Sequence, residues 1–505
     1  MTNERAEATQ IKGRSYREQF KKILLGLYLK VIIENSIYTV NKKLCKESIV
    51  MGNHRGILVF SLDFPPKILY KHLGREIILT THSQKVRNQG VFMEAESVFP
   101  KLRNVDVFPA EVSGQKVVCL RDPLNLSEKI LFIPYPVFFI VHLFDGQHSM
   151  VDIQVEYMRQ FGELLYRERI QELIDQLDEH FLLDSERFRQ LERKIIETFN
   201  HTPVRPMALA GEAYERDSEK LRQTIEAYFC EPEGPGLPIG HKESDGLVGA
   251  IAPHIDYRRG GSCYAWAHRA IQESSPADLF IILGTAHSPT RQPFALTQKD
   301  FQTPWGPVAT DRAFLAEIQA HCSFDFYEDE FVHKAEHSIE LQLVFLRALW
   351  HKRDPFQIIP VLCGSFHEAI LKNISPMDLP GIARFIEALR TTIEKSKRKV
   401  CLLASADLAH VGLRFGDAEA PNRFTLQSLG DEDRRLLEFA QRVDAEGFYS
   451  SLLRERDQRR ICGLPPIYTL LQVIGAREGK LLKYGQSMDP ATQSVVTFAS
   501  LAFFS

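Results

Sequence analysis

Several absences narrow this sequence before any motif is read. The longest apolar stretches, Ile23 to Ile33 and Ile130 to Phe144, are broken by Lys30 and by Pro134 and Pro136. Both fall short of the roughly 20 apolar residues that a membrane-spanning helix needs. A signal segment after Lys21 and Lys22 would lack a small-residue cleavage site close behind it. Charge of one sign is not in excess either: the formal net charge is -3, which gives no electrostatic reason to expect nucleic acid or an anionic membrane. The eight cysteines form no CxxC pair and no compact framework, so a reducing compartment, the cytoplasm, is expected. Internal repeats and low-complexity tracts are also missing.

What is there is a chain of 505 residues, 44% apolar and 25% charged, a length that implies two or three domains. Residues 1–92 carry the weakest signals. Glu18 to Ile33 has a helical period and Glu76 to Thr81 resembles a strand, without caps or sustained periodicity. Met93 opens a stretch of different character, which leaves two readings. Either the native start is Met93 and the upstream part is an extension of the reading frame, or residues 1–92 are a small domain with few sequence signals.

Residues 93–190 alternate short strands with short helices. Val107 to Val112 and Gln115 to Arg121, joined by Ser113-Gly114, predict a hairpin. Helices are predicted over Pro136 to Leu143, over Asp152 to Phe161 behind Ser149 as N-cap, and over Tyr166 to His180. Short helices beside a β wing suggest a winged-helix-like α+β domain. Its second helix carries Asp152 and Glu156 beside Arg159 rather than a basic face, so peptide holding is expected ahead of DNA binding.

Residues 191–505 read as α/β. Strands are predicted at Leu247 to Ala252, Leu279 to Leu283, Gln357 to Leu362 and Val400 to Ala404, with helices at Ser262 to Glu273, Asp311 to His321, Ser338 to His351 and Leu379 to Lys395. That alternation predicts a three-layer α/β fold. Ligands of such folds gather outside the carboxyl ends of the strands. The first strand ends in Pro253-His254-Ile255-Asp256, the second in Ala286-His287 and the fourth in Asp407-Leu408-Ala409-His410. Imidazoles from separate strand ends suit a divalent transition metal. Spacing leaves the third ligand open among Asp256, Asp407, Glu336, Glu340 and Cys462.

The phrases Ala-Pro-His254-Ile-Asp-Tyr257, Leu-Gly-Thr-Ala-His287, Thr303-Pro-Trp-Gly, Glu336-His337-Ser338-Ile339-Glu340, Ser405-Ala-Asp407-Leu-Ala-His410 and Ile461-Cys462-Gly463 resemble, in order and spacing, the Memo family over residues 204–505. The bacterial branch it resembles is protein B of the AmmeMemoRadiSam system. The resemblance implies a fold similar to LigB-type class III extradiol dioxygenases, preceded by a winged-helix-like or PqqD-like domain. It implies metal ligands at His254, His287 and Cys462, and catalytic roles for Asp407 and His410. Tyr257, Glu336 and His337 would bind substrate. The implied cofactor is iron or copper, with zinc a further candidate, and the implied partners are an AMMECR-like protein and a radical SAM protein. The dioxygenases carry a carboxylate where this chain has Cys462, which separates it from catechol chemistry. Two functions follow: a metal-dependent, dioxygenase-like oxidoreductase or accessory protein, or a non-catalytic peptide- or protein-binding module using the same pocket.

Overall fold

The computed structural model describes residues 57–59 and 99–505, except 113–114, 123–125, 128–129, 241–245, 323 and 351–354. The expectations for Glu18 to Ile33, for Glu76 to Thr81 and for a start at Met93 lie outside the described residues. Packing divides the described chain into a unit that ends at Lys194 and a second that begins at Ile195.

In the first unit β1 (Ile57–Val59), β2 (Asp106–Val112), β3 (Gln115–Arg121) and β4 (Ile130–Ile133) form a sheet in the order β1-β4-β3-β2. The predicted hairpin is present as the antiparallel β2 and β3 pair. Helices α1 (Tyr135–His142), α2 (Met150–Phe161) and α3 (Arg167–Glu179) follow. Ser149 caps α2 in a reciprocal box with Asp152, satisfying two of the orphan N–H groups at the helix start. Ile170, Leu173, Ile174 and Leu177 form the buried stripe of α3. The buried Asp122 carboxylate meets Arg103 and takes the N–H groups of Leu126 and Ser127 at 2.9 and 2.8 Å. That ties Leu126 and Ser127 to the residue that follows β3.

Helix α4 (Glu186–His201) leads into the second unit, followed by β5 (Val204–Arg205) and α5 (Ser218–Cys230). The large sheet then begins with β6 (Leu247–Ala252). After α6 (Tyr257–Ser274) come β7 (Leu279–Thr285), β8 (Phe294–Leu296), β9 (Asp300–Thr303) and β10 (Gly306–Val308). Helices α7 (Arg312–Ala320) and α8 (Ser338–Trp350), strand β11 (Gln357–Cys363), helices α9 (His367–Lys372) and α10 (Pro380–Lys395), and strands β12 (Val400–Ser405) and β13 (Asp407–Gly412) follow. Helices α11 (Arg423–Gln441), α12 (Ala445–Arg454) and α13 (Leu464–Val473) and the long strands β14 (Glu478–Asp489) and β15 (Ser494–Phe504) complete the chain.

The sheet has eight strands in the order β13-β15-β6-β12-β7-β11-β8, with β14 added on β15. Its centre, β6-β12-β7-β11, is parallel, matching the four predicted strands. The alternation of side chains explains why these strands read as continuous apolar runs. Leu279, Ile281 and Leu283 of β7 pack with α7, α10 and α13, whereas Phe280 and Ile282 pack with Ala267 and Ile271 of α6 and with Leu343 and Leu346 of α8. Both faces are therefore covered by helices, as parallel strands require. Ser405 lies opposite both Ala252 and Gly284, and Cys363 opposite Thr285. The carboxyl ends of the four strands are thus level, and whatever follows each one emerges at the same edge. No helix among the described residues is long and apolar enough to cross a membrane.

Candidate metal centre

Pro253 cannot donate to a sheet ladder, so β6 stops at Ala252 and His254 is delivered just beyond the edge. His254 is 2% exposed. Its backbone N–H donates to Asp407 Oδ1 at 2.9 Å, and its Nδ1 lies 3.0 Å from the carbonyl of Ser405, the last residue of β12. His287 follows β7 by two residues. Its N–H donates to Glu336 Oε2 at 2.9 Å and its Nδ1 is 3.0 Å from Oε1. The third imidazole, His337, sits at the start of α8, with Nδ1 also 3.0 Å from Glu336 Oε1. The backbone N–H groups of His337 and Ser338 bind that same oxygen at 2.8 and 3.1 Å. One buried carboxylate therefore holds two rings and the first turn of a helix.

These contacts fix the chemistry of the rings. A carbonyl or carboxylate next to Nδ1 calls for a proton there, which leaves Nε2 as the lone-pair nitrogen on each imidazole. Donor atoms of His254, His287 and His337 all lie within 4.8 Å of one another. The His254 ring stands edge-on to the other two at 5.0 and 5.4 Å, and His287 and His337 stack at 4.6 Å. Carbonyls and carboxylates behind ligating histidines are the usual means of fixing the tautomer toward a metal. Here they are already in place.

Cys462 joins from another direction. Its Sγ is 3.3 Å from His254 Nε2 and 3.7 Å from the Asp407 carbonyl. The loop that brings it holds Arg456, Asp457 and Arg460 in the left-handed region, at φ 52°, 48° and 54°. Such conformations cost energy in non-glycine residues and persist where the surroundings enforce them. The Asp457 carboxylate takes the Ile461 N–H at 2.8 Å, and Arg460 donates to the His410 carbonyl at 3.0 Å.

Burial dominates the electrostatics. It drives His254 well below the ordinary imidazole value, helped by the neighbouring His287 and His337, so the ring is neutral at pH 7. Burial likewise takes His410 down to about 4, against the pull of Asp407, and lifts the Asp407 carboxyl and the Cys462 thiol. For Glu336 burial acts upward, but the electrostatic attraction and hydrogen bonds of His287 and His337 outweigh it and hold the carboxyl well below its usual range.

The structure assembles His254, His287, Glu336, His337, Asp407 and Cys462 at one place. Asp407 receives the N–H groups of His254 and Ile255, and its Oδ2 is 3.7 Å from His254 Nε2. His410 lies on the adjoining β13 and takes its tautomer from the Leu408 and Arg460 carbonyls, 3.0 and 3.2 Å from Nδ1. Three of the residues considered are engaged elsewhere. Tyr257, expected to bind substrate, is 1% exposed, donates to the Leu341 carbonyl and packs against Tyr264 and Phe345. An aromatic core has captured it. Glu340, a candidate third ligand, is spent on Arg205, Tyr214 and the N–H groups of Ala208 and Leu209. Asp256 pairs with Arg259 at the start of α6.

Sequence reasoning missed the participation of His337 as a third imidazole. The available signal was its position between Glu336 and the helix start at Ser338. It also missed the buried polar layer beneath the site, where Gln342 donates to the Pro253 carbonyl at 2.6 Å and to Ser405 Oγ at 2.8 Å.

Fold and site together define an α/β protein with a cluster of three histidines that could hold a metal ion at the carboxyl edge of a parallel sheet. Comparison with known proteins agrees: residues 205–502 match the family described as Memo-like protein, and the chain belongs to the Memo family. It is similar to a MEMO1 family protein of Aquifex aeolicus, 27% identical over 408 residues that cover 80% of this chain and 100% of the relative. A MEMO1 family protein of Thermus thermophilus is 26% identical over 70% of this chain and 98% of its own length. One from Methanopyrus kandleri is 30% identical over 59% of this chain and 98% of its own. The Aquifex alignment is longer than the stretch matched by the family, so that likeness reaches beyond the Memo-like region.

Proposed function

We propose that this Memo-family chain binds one divalent transition metal, iron or copper, through His254, His287 and Cys462, with His337 facing the same position. The carrying observation is that three imidazoles bring a ring nitrogen each within 4.8 Å of one another, with the Nδ1 atoms beside a carbonyl or Glu336. Imidazole nitrogens and a thiolate fit iron, copper or zinc. A bound ion would supply Lewis acidity and, for iron or copper, redox chemistry.

The protein's own groups then have separate tasks. Glu336 orients His287 and His337. Ser405 orients His254. His410, neutral at pH 7, is equipped to accept a proton, and Asp407 holds the His254 backbone while presenting its second oxygen to the same space. We read the sheet as LigB-like in its layering and the first unit as a winged-helix-like, PqqD-like module that holds a peptide. On this reading the chain is an oxidoreductase or accessory protein of an AmmeMemoRadiSam-type system, in the cytoplasm, with an AMMECR-like and a radical SAM protein as partners.

The test is metal content and oxidation state of protein purified without oxygen, for the intact chain, His254→Ala and Cys462→Ser. Near-stoichiometric iron or copper in the intact chain, lost in His254→Ala, is the expected result. No metal in any of the three would overturn the reading and favour a metal-free peptide-binding pocket.

A further inference from the structure

A cavity of about 520 Å³ lies between the first turns of α6, the middle of α11 and the β14 and β15 hairpin. It lies within the size range of small-molecule sites, and none of the imidazoles lines it. Its lining includes three cations, Arg259, Arg434 and Lys483, against two acids, Glu233 and Asp431. Arg259 is already paired with Asp256, so the positive charge left to the cavity is that of Arg434 and Lys483, whose own pairings are weak. Lys483 meets Glu233 at 2.6 Å, but that glutamate side chain is 73% exposed, and exposed pairs contribute little. Arg434 has Asp431 at 3.7 Å with both side chains 60% exposed, and it makes no hydrogen bond among the described residues. Its guanidinium lies 5.2 Å from the centre of the Tyr484 ring.

Two features indicate that the cavity is built. Gly430 stands in the interior of the 19-residue helix α11, where glycine costs about 1 kcal/mol relative to alanine. A Cβ there would lie 3.3 Å from Arg434 Nη1 and 3.4 Å from Gln486 Nε2, so its absence lets both side chains lie close across the helix at the cavity floor. The wall is also held in advance of any ligand. Gln486 donates to the Tyr484 hydroxyl at 2.9 Å, and that hydroxyl donates to the fully buried Asp433 at 2.8 Å. Leu426 and Phe498 supply an apolar surface beside these polar groups.

We propose that this cavity binds a small organic anion of the aryl carboxylate class, its carboxylate on Arg434 and Lys483 and its ring against Leu426 and Phe498. A planar guanidinium matches a carboxylate in two parallel hydrogen bonds. The site is separate from the proposed metal centre, and the two stand or fall independently.

The experiment is fluorine NMR of 4-fluorobenzoate with the full, metal-free chain, using neutral 4-fluorobenzamide as control. Saturable line broadening by the benzoate and none by the benzamide is expected. Arg434→Gln and, separately, Lys483→Gln should each weaken binding on the order of tenfold or more, while His254→Ala leaves it unchanged. Broadening that survives both charge removals, or that disappears in His254→Ala, would overturn the assignment. So would the absence of saturable broadening in the intact chain.

Discussion

The sulfur of Cys462 lies 3.3 Å from Nε2 of His254. Two donors held by one tetrahedral ion, with bonds of about 2.3 Å to sulfur and 2.0 Å to nitrogen, sit roughly 3.5 Å apart. The pair is therefore spaced close to what a shared ion demands, although 208 residues separate the two in sequence. Burial pushes the thiol up, and a cation would reverse that by holding the thiolate. Cobalt substitution should then give a thiolate charge-transfer band that is absent from Cys462→Ser. An identical spectrum in that variant would show that the thiol does not ligate and leave His337 as the third donor.

Glu336 tests a different link, since it touches no proposed ion and acts through His287 and His337. Glu336→Gln places an NH2 group among donors that all seek an acceptor. Metal affinity should fall by about 10- to 100-fold, the usual effect of removing a group behind a ligand. Competition with a chelator of known strength measures it. Wild-type affinity in this variant would mean that the rings are positioned by packing alone.

Glu340 is the structural counterpart four residues on. It and Arg205 are almost wholly buried, and breaking such a pair leaves an uncompensated charge worth about 3–5 kcal/mol. Arg205→Met should lower unfolding stability by about that amount while metal bound per folded molecule stays constant. A variant as stable as the parent would mean that Glu340 is satisfied by Tyr214 and the backbone N–H groups.

Acid sensitivity follows from histidines that are buried and neutral. Burial lowers His268 to about 4 and His333 to about 3. Below pH 6.5 the unfolded chain takes up protons at these positions and the folded chain does not, so their support is intact above pH 6.5 and is lost as pH falls toward 4. Each can remove up to about 1.4 kcal/mol per pH unit. Asp457, raised to about 6 by burial, works in the opposite direction. Urea midpoints at pH 7, 6 and 5 should decline, and more shallowly in His268→Gln. An unchanged slope in that variant would remove His268 from the account.

The parallel core was legible because strands buried on both faces are written as unbroken apolar runs, and Leu247–Ala252 was placed to the residue. The site was legible for the related reason that strand ends in such a sheet must coincide. The β14 and β15 hairpin was not, although it is the longest strand pair in the unit. β15 is buried throughout, whereas β14 is mostly half-exposed and carries Lys480, Lys483 and Gln486, so neither shows a clean two-residue alternation. Tyr257 shares a short phrase with His254, yet the helix that starts at Tyr257 turns it into the core, a burial that the phrase does not reveal. His337 was placed near the pocket, but its convergence with His254 depends on the Glu336 carboxylate, a relation that spacing does not reveal.

The corner that carries Asp407 and His410 depends on a residue remote from both in sequence. The register between β13 and β15 shifts between Asp407 and His410, and an irregularity there leaves backbone groups without ladder partners. The Ala409 N–H is taken instead by Thr497 Oγ1 at 2.9 Å, and the His410 N–H by the Arg459 carbonyl at 2.7 Å. Thr497 and Arg459 are both fastened to the buried Asp433 carboxylate, the former at 2.6 Å. Thr497→Val keeps the shape but strands the Ala409 N–H, a loss of about 1–3 kcal/mol, and lets the corner relax. Thr497→Ser preserves the hydroxyl and should restore stability. The ring resonances of His410 should move in the valine variant and return in the serine variant. If the valine protein matches the parent in both stability and His410 resonances, the corner is held through the Arg459 carbonyl, and the Thr497 hydroxyl has no part in placing His410.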